Sequence, residues 1–143
     1  MHSDTLKSHT VDATFLGKAL LVWGSTKQKI TAKSSTEGEL IGTSDKTGKG
    51  LHLREFIIDQ GYKVNPLIIM QDNMSTMAII KRGEPTSDRS RHINIRYFWL
   101  KEMVSQNKCK VVHCPTEKMW ANLLTKPLNG AQFVKERFVL TNW

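Results

Sequence analysis

The sequence of 143 residues lacks any apolar run of transmembrane length, and residues 1–20 contain no apolar segment of the kind found in signal peptides. Cysteine is scarce. Cys109 and Cys114 are its only instances, and their spacing is neither that of a zinc site nor that of a disulfide framework. We therefore expect buried or idle thiols in a reducing compartment, and an intracellular protein, cytoplasmic or nuclear, rather than a secreted one.

Motifs of nucleophilic catalysis, such as Gly-x-Ser-x-Gly, are also missing, and so are repeats and low-complexity segments. Acidic residues are few: the sequence has 13 Asp and Glu but 21 Lys and Arg, which gives a net charge of +8. Such an excess predicts an acidic polymer as partner. Nucleic acid is favoured over a merely basic soluble protein because the basic residues cluster around the motifs described below.

The remaining composition, 39% hydrophobic and 24% charged, is typical of a soluble domain that is long enough to bury a core. Hydrophobic periodicity and turn residues predict the order β-β-α-β-α-α-β-α. The predicted strands cover 11–16, 19–23, 67–71 and 108–113, and the predicted helices cover 36–59, 73–81, 88–105 and 116–125. A hairpin turn is expected at Gly17 and Lys18.

The first predicted helix begins in the segment Ser34–Leu40, where Thr36 is the expected N-cap and Glu39 its capping-box partner. Its end is expected at Gly61. Because four glycines weaken this helix, we expect a break near Gly48.

Three smaller predictions concern single positions. Asp12 is a poor strand residue and should point outward or lie on an edge. At least one ring of the aromatic trio 97–99 should be exposed, and residues 130–143 could form a short amphipathic turn.

Two acidic residues stand where an α/β fold commonly binds a divalent cation. Glu39 lies in the first turn of a predicted helix, and Asp72 directly follows a buried-type strand. The competing interpretation is that Glu39 only caps its helix, which is the commoner role for that position.

Six motifs follow one another along the chain: Ser25–Lys29, Ser34–Leu40, Gln71–Asn73, Arg91–Phe98, Cys114–Glu117 and Ala121–Leu128. In this order and spacing they resemble the ribonuclease H domain that ends the polyprotein of copia-type LTR retrotransposons. The resemblance covers roughly residues 3 to 135.

The resemblance implies an α/β fold, a ribonuclease H-like mixed sheet flanked by helices, here lacking the first, central strand. It also implies a domain over residues 1–128 with a tail over 129–143. Without the central strand, either Met1–Leu6 or another segment fills its place, or the sheet is split. We therefore expect the chain to fold poorly by itself.

The activity that the resemblance implies is Mg²⁺-dependent cleavage of the RNA strand of RNA–DNA hybrids, with four carboxylates holding two ions. Glu39 and Asp72 match the second and third metal ligands. Asn122 stands where the family has the fourth, an Asp, and the first has no counterpart in the chain. We therefore expect at most one weakly bound Mg²⁺ and little or no cleavage.

Basic residues beside these motifs are expected to contact the phosphates of RNA or of an RNA–DNA hybrid: Lys27, Lys29, Lys33, Arg89, Arg91, His92 and Arg96. A solvated basic surface would explain them equally well. The resemblance further implies the reverse transcriptase domain of the same polyprotein as a partner. Two alternatives remain open, namely a binding module that does not cut and a decayed reading frame without function.

Overall fold

The computed structural model describes residues 9–28, 32, 34–82, 91–124 and 129–141. The chain divides into two compact units. The first unit comprises Met1–Thr31 and Pro115–Trp143, and the second comprises Ala32–Cys114.

The first unit is built on an antiparallel hairpin of strands β1 (His9–Leu16) and β2 (Ala19–Lys27). Gly17 adopts a positive φ of 61° in the turn, a conformation that glycine enters at no steric cost, so the predicted hairpin is confirmed. The ring of Phe15 on β1 packs edge-on against Trp120 at a centroid distance of 5.5 Å.

Asp12 on β1 is buried with 4% of its surface exposed, so it does not point outward, but it does lie on an edge, because β1 belongs to a two-stranded sheet in the described part of the chain. Its cross-strand partner is Gly24, and a Cβ at Gly24 would lie 3.2 Å from Oδ1 of Asp12. Because Gly24 has no side chain, the carboxylate has room to lie over the partner strand.

The carboxyl-terminal part of the first unit differs from the prediction in two ways. Instead of one helix over 116–125, the chain forms two 3-10 helices, Thr116–Lys118 and Trp120–Leu124. The N-cap position of the first of them is occupied by Pro115, so this start lacks the side-chain cap that favours an α-helix. Instead of a short turn, the tail forms a helix of 12 residues, Gly130–Thr141, which we label α4.

The second unit contains helix α1 (Ser35–Asp59), strand β3 (Leu67–Gln71), helix α2 (Met74–Arg82), helix α3 (Arg91–Ser105) and strand β4 (Cys109–His113). The two strands are parallel, as expected when helices form the crossover between them. Leu51, Ile69 and Cys109 form one buried hydrophobic cluster of this unit, and partly buried apolar residues pack against it: Leu67, Trp99, Met103, Val104 and Val111.

The start of α1 lies earlier than predicted. Ser34, not Thr36, is the N-cap, and its hydroxyl accepts a hydrogen bond of 3.2 Å from the backbone N–H of Glu37. The capping register is thus shifted by two residues, so Glu39 is not the residue three positions after the cap. This removes the main argument that Glu39 serves only the helix start.

Helix α1 is continuous through Gly48, so the predicted break is wrong. The reason is packing. A Cβ at Gly50 would lie 2.7 Å from Cδ2 of Leu67, which shows that the glycine allows close contact between helix and strand. The end of the helix is as predicted, because Gly61 has a φ of 89° and its N–H donates to the carbonyl of Ile58.

The four strands in the described part of the chain form two separate two-stranded sheets, β1–β2 and β3–β4. Among the described residues the sheet is therefore split, which is one of the two outcomes expected without a central strand. Met1–Leu6, the segment named for the other outcome, lies outside the described residues. The α/β class is confirmed, while the ribonuclease H-like arrangement and the 1–128 domain boundary stay predictions.

Two predictions about side chains are confirmed. Phe98 is half exposed, whereas Tyr97 beside it is fully buried. Cys109 and Cys114 are free thiols, both buried. Burial raises the pKa of the Cys109 thiol above its ordinary value because the thiolate loses its hydration.

Candidate functional site

Glu39 lies on the second turn of α1 and its side chain is exposed. Its backbone carbonyl accepts a hydrogen bond of 2.7 Å from the hydroxyl of Thr43, one turn further along the helix. Because side chains of a helix tilt toward its N-terminus, the Glu39 carboxylate extends away from Thr43, toward the beginning of α1.

Asp72 directly follows β3 and is partly buried. The residues on either side of it are both held in place. Asn73 accepts a hydrogen bond of 3.1 Å from the backbone N–H of Thr76 with its Oδ1, so that it caps α2. Gln71, on the other side, has 4% of its surface exposed. The backbone around Asp72 therefore has little freedom.

A direct hydrogen bond joins the segments that carry the two carboxylates. Nε2 of Gln71 donates to Oγ1 of Thr43 over 2.7 Å, in a buried position. This bond places the end of β3 against the second and third turns of α1. The structure thus brings Glu39 and Asp72 to the same end of the second unit, the carboxyl end of a parallel sheet, where α/β proteins commonly bind ligands.

His113 reaches the same end of this sheet on the neighbouring strand. It pairs with Gln71 in the register of β3 and β4, and its side chain is exposed. The next residue, Cys114, donates its backbone N–H to the carbonyl of Gln71 over 2.9 Å. Gln71 is accordingly fixed by its backbone as well as by its side chain.

The donor set does not fit a pair of Mg²⁺ ions. Within the part of the chain that the structure describes, no three His, Cys, Asp or Glu side chains converge as metal ligands. The side-chain amide oxygens of the two residues that flank Asp72 in the sequence each accept a hydrogen bond, Oε1 of Gln71 from the N–H of Asn73 and Oδ1 of Asn73 from the N–H of Thr76. Two close dications repel each other strongly, and two carboxylates offset little of that repulsion.

Asn122, the third predicted site residue, belongs to the 3-10 helix Trp120–Leu124 of the first unit. Its side chain lies outside the described residues. Its predicted role therefore stays a prediction.

The predicted phosphate-binding residues divide into three groups. Lys27, at the end of β2, and Arg91, at the start of α3, have exposed side chains. Arg96 on α3 forms an ion pair with Asp45 on α1, so part of its charge is already compensated. Lys29, Lys33, Arg89 and the side chain of His92 lie outside the described residues.

Comparison with known proteins finds relatives among transposon polyproteins. The chain is 32% identical over 125 residues, 86% of its length, to the retrovirus-related Pol polyprotein from transposon TNT 1-94 of Nicotiana tabacum. It is 29% identical over 83% of its length to the corresponding protein from transposon RE1 of Arabidopsis thaliana. It is also 32% identical over 73% of its length to the truncated transposon Ty1-A Gag-Pol polyprotein of Saccharomyces cerevisiae.

The chain is homologous to a segment of retrotransposon Pol polyproteins. It spans only 9% of the tobacco and yeast polyproteins and 8% of the Arabidopsis one. No family model matches it, and no solved structure matches it either. In the described part of this Pol-related chain, no helix is both long enough and apolar enough to cross a membrane.

Sequence reasoning singled out the acidic residues but missed Thr43 and Gln71, which hold their segments together. Only weak signals for these two residues are present in the sequence. Thr43 is one of three hydroxyl-bearing residues on the buried helix face, with Ser44 and Thr47. Gln71 ends the strand on the same face as buried Ile69, where alternation calls for another apolar side chain.

Proposed function

We propose that this chain derives from the ribonuclease H domain of a copia-type Pol polyprotein, and that by itself it cleaves the RNA strand of RNA–DNA hybrids weakly or not at all. The observation that carries the proposal is the Gln71–Thr43 hydrogen bond, which joins the strand end bearing Asp72 to the helix bearing Glu39. These are the two elements on which the resemblance places the second and third metal ligands. The homology to Pol polyproteins supports the same origin.

The weak activity follows from charge. Cleavage by two metal ions needs one Mg²⁺ to activate water and another to hold the leaving oxygen. Glu39 and Asp72 supply two negative charges, the amide of Asn122 supplies none, and the chain has no counterpart of the first ligand. A single weakly held Mg²⁺ at Glu39 and Asp72 would neutralise phosphate charge but would not provide both functions.

A cleavage assay on the whole chain tests this proposal. An RNA–DNA hybrid with a labelled RNA strand is incubated with the chain in Mg²⁺, and the RNA fragments are separated by size. We expect the strand to remain intact over times in which a complete ribonuclease H degrades it. Efficient cleavage that is lost in Asp72→Asn would show that the ligand set is sufficient and would overturn the proposal.

The second candidate function is binding of RNA or hybrid without cleavage. Arg91 is the observation that favours it. This side chain is exposed on α3, so a phosphate of a nucleic-acid backbone can approach it. An exposed cation of this kind supplies the charge that binding without cleavage requires, because such binding depends on phosphate contacts.

Binding is tested by measuring the affinity of the chain for a hybrid, for double-stranded RNA and for double-stranded DNA at several salt concentrations. Tighter binding to the hybrid than to DNA, weakening steeply with salt, would support a binding module. Equal and weak affinity for all three nucleic acids would show that the net charge of the chain alone causes the binding. A chain that fails to fold alone would favour a decayed reading frame or a missing strand.

In the polyprotein, the proposed partner of this segment is the reverse transcriptase domain, as the resemblance implies. The chain covers less than a tenth of the length of these relatives.

A further inference from the structure

Gln71 is a polar residue in a position where the fold would accept an apolar one. It continues the inward-facing row of β3 after Ile69 and is almost fully buried. Burying an amide is costly unless its polar atoms form hydrogen bonds. Both ends of this amide do so, since Nε2 donates to Thr43 and Oε1 accepts from the N–H of Asn73 over 3.2 Å.

These bonds form a continuous connection around Asp72. The connection runs from the backbone of Asn73 through the Gln71 amide to the hydroxyl of Thr43, and from that hydroxyl to the carbonyl of Glu39. The hydroxyl of Thr43 therefore both donates and accepts. Fully bonded buried networks of this kind fix one geometry, because each group would lose its partner in any other.

We propose that Gln71 is the positioning residue of this site, which sets the separation between the Asp72 and Glu39 carboxylates, with Thr43 as its anchor on α1. The inference rests on the proposed function, because it concerns the same two carboxylates. Gln71 does not itself act as a ligand, since its amide oxygen holds Asn73. It acts by holding the backbone that bears Asp72 against the helix that bears Glu39.

Helix α1 offers a matched control for this role. Thr47 lies one turn after Thr43, is fully buried and likewise donates its hydroxyl to the carbonyl four residues before it, over 2.7 Å. The described hydrogen bond from Gln71, however, goes to Thr43. Thr47→Val therefore removes the same kind of group at the same burial without touching the proposed connection.

The test measures how strongly the backbone amide chemical shift of Asp72 depends on the charge of Glu39, in the full chain and without any metal. Glu39→Gln removes a charge, and the resulting change in the ¹⁵N–¹H chemical shifts of Asp72 and Asn73 reports their proximity to it. The same substitution is then made in the backgrounds Thr43→Val, Gln71→Met, Thr43→Ser and Thr47→Val. Spectra of each background confirm that the chain is folded.

We expect the shift response at Asp72 to be present in the unaltered chain, lost in Thr43→Val and Gln71→Met, and retained in Thr43→Ser, which keeps the hydroxyl, and in Thr47→Val. A second readout is the affinity for Mn²⁺, measured by paramagnetic broadening of the same amides. It should fall about tenfold in Thr43→Val, in keeping with the usual effect of losing a group that orients a metal ligand.

Equal chemical-shift responses in Thr43→Val and Thr47→Val would show that both threonines have only structural roles. That result would overturn the inference. The absence of any response in the unaltered chain would overturn it too, since Glu39 and Asp72 would then not be neighbours. Neither result depends on cleavage or on hybrid binding. Failure of this inference is therefore distinguishable from failure of the proposed function, which the cleavage assay decides.

Discussion

Gly50 of α1 lies directly against Leu67 of β3, so close that a Cβ on the glycine would approach Cδ2 of Leu67 to 2.7 Å and Cδ1 to 3.1 Å. This contact explains why a helix with several glycines remains continuous. The backbone entropy that glycine loses is offset by the burial of Leu67 and its neighbours against the helix.

Gly50→Ala should therefore destabilise the second unit, although alanine is the better helix former. Overpacking of a filled core typically costs about 1–3 kcal/mol, more than the roughly 1 kcal/mol that alanine gains in a helix. Gly48→Ala is the control. Its Cβ would meet Cη2 of Trp99 at 3.8 Å, an ordinary contact, so this variant should gain stability. Urea unfolding measures the stability of both variants. A gain in stability for both would refute the close packing of Gly50 against Leu67.

The start of α1 gives a second prediction. Ser34→Ala should lower the free energy of unfolding by about 1 kcal/mol, because the N–H of Glu37 loses its acceptor. Thr36→Ala should have little effect, since Thr36 lies inside the helix. Thermal unfolding of the two variants distinguishes the registers. A larger loss in Thr36→Ala would restore the capping register that the sequence alone predicts.

The ion pair between Arg96 and Asp45 leads to a prediction about nucleic-acid binding. Because Asp45 compensates part of the Arg96 charge, Asp45→Asn should strengthen binding to an RNA–DNA hybrid. Arg91→Gln should weaken binding and lower the slope of log affinity against log salt by about one, as expected when one phosphate contact is lost. Fluorescence anisotropy over a range of salt concentrations measures these effects.

A matched control is Glu55→Gln on α1, which adds the same charge change as Asp45→Asn at an exposed position further along the helix. If both variants strengthen binding equally, net charge alone is responsible and Arg96 has no special part in it.

The raised pKa of the Cys109 thiol predicts that the free energy of unfolding depends on pH in the alkaline range. Burial raises its pKa, so the folded chain keeps the thiol proton at a pH where the unfolded chain has lost it. The free energy of unfolding should therefore fall as the pH rises above the ordinary thiol value, and stay unaffected by this group below it. Cys109→Ala should lack this component. Denaturant titrations between pH 7 and 10 measure the free energy of unfolding of both chains. If it changed with pH by the same slope in both, the prediction would be contradicted.

Much of the second unit could be predicted from the sequence because local signals carried it. The apolar run before Gln71 and the glycine at 61 placed β3 and the end of α1 correctly. The continuity of α1 could not be predicted, since it depends on Leu67, a residue of another element. The burial of Asp12 could not be predicted for the same reason, because its cross-strand partner Gly24 is known only once the register of the two strands is known.

The candidate site was predictable in part. Glu39 and Asp72 stand out as acids at ends of regular elements, and the described structure brings their segments together. Gln71 and Thr43 do not stand out, because their importance lies in a hydrogen bond between residues 28 positions apart. The alternation of β3 placed Gln71 on the inner face, but only the structure identifies what it binds there.

The most direct test of the whole account is hybrid cleavage by the chain, compared with Asn122→Asp, at equal concentrations of protein and labelled hybrid in Mg²⁺. The account predicts no RNA fragments from the unaltered chain and at most traces from the variant, because the proposed ligand assignment would then have three carboxylates and still lack the first ligand. Rapid RNA cleavage by the unaltered chain, abolished by Glu39→Gln, would contradict it.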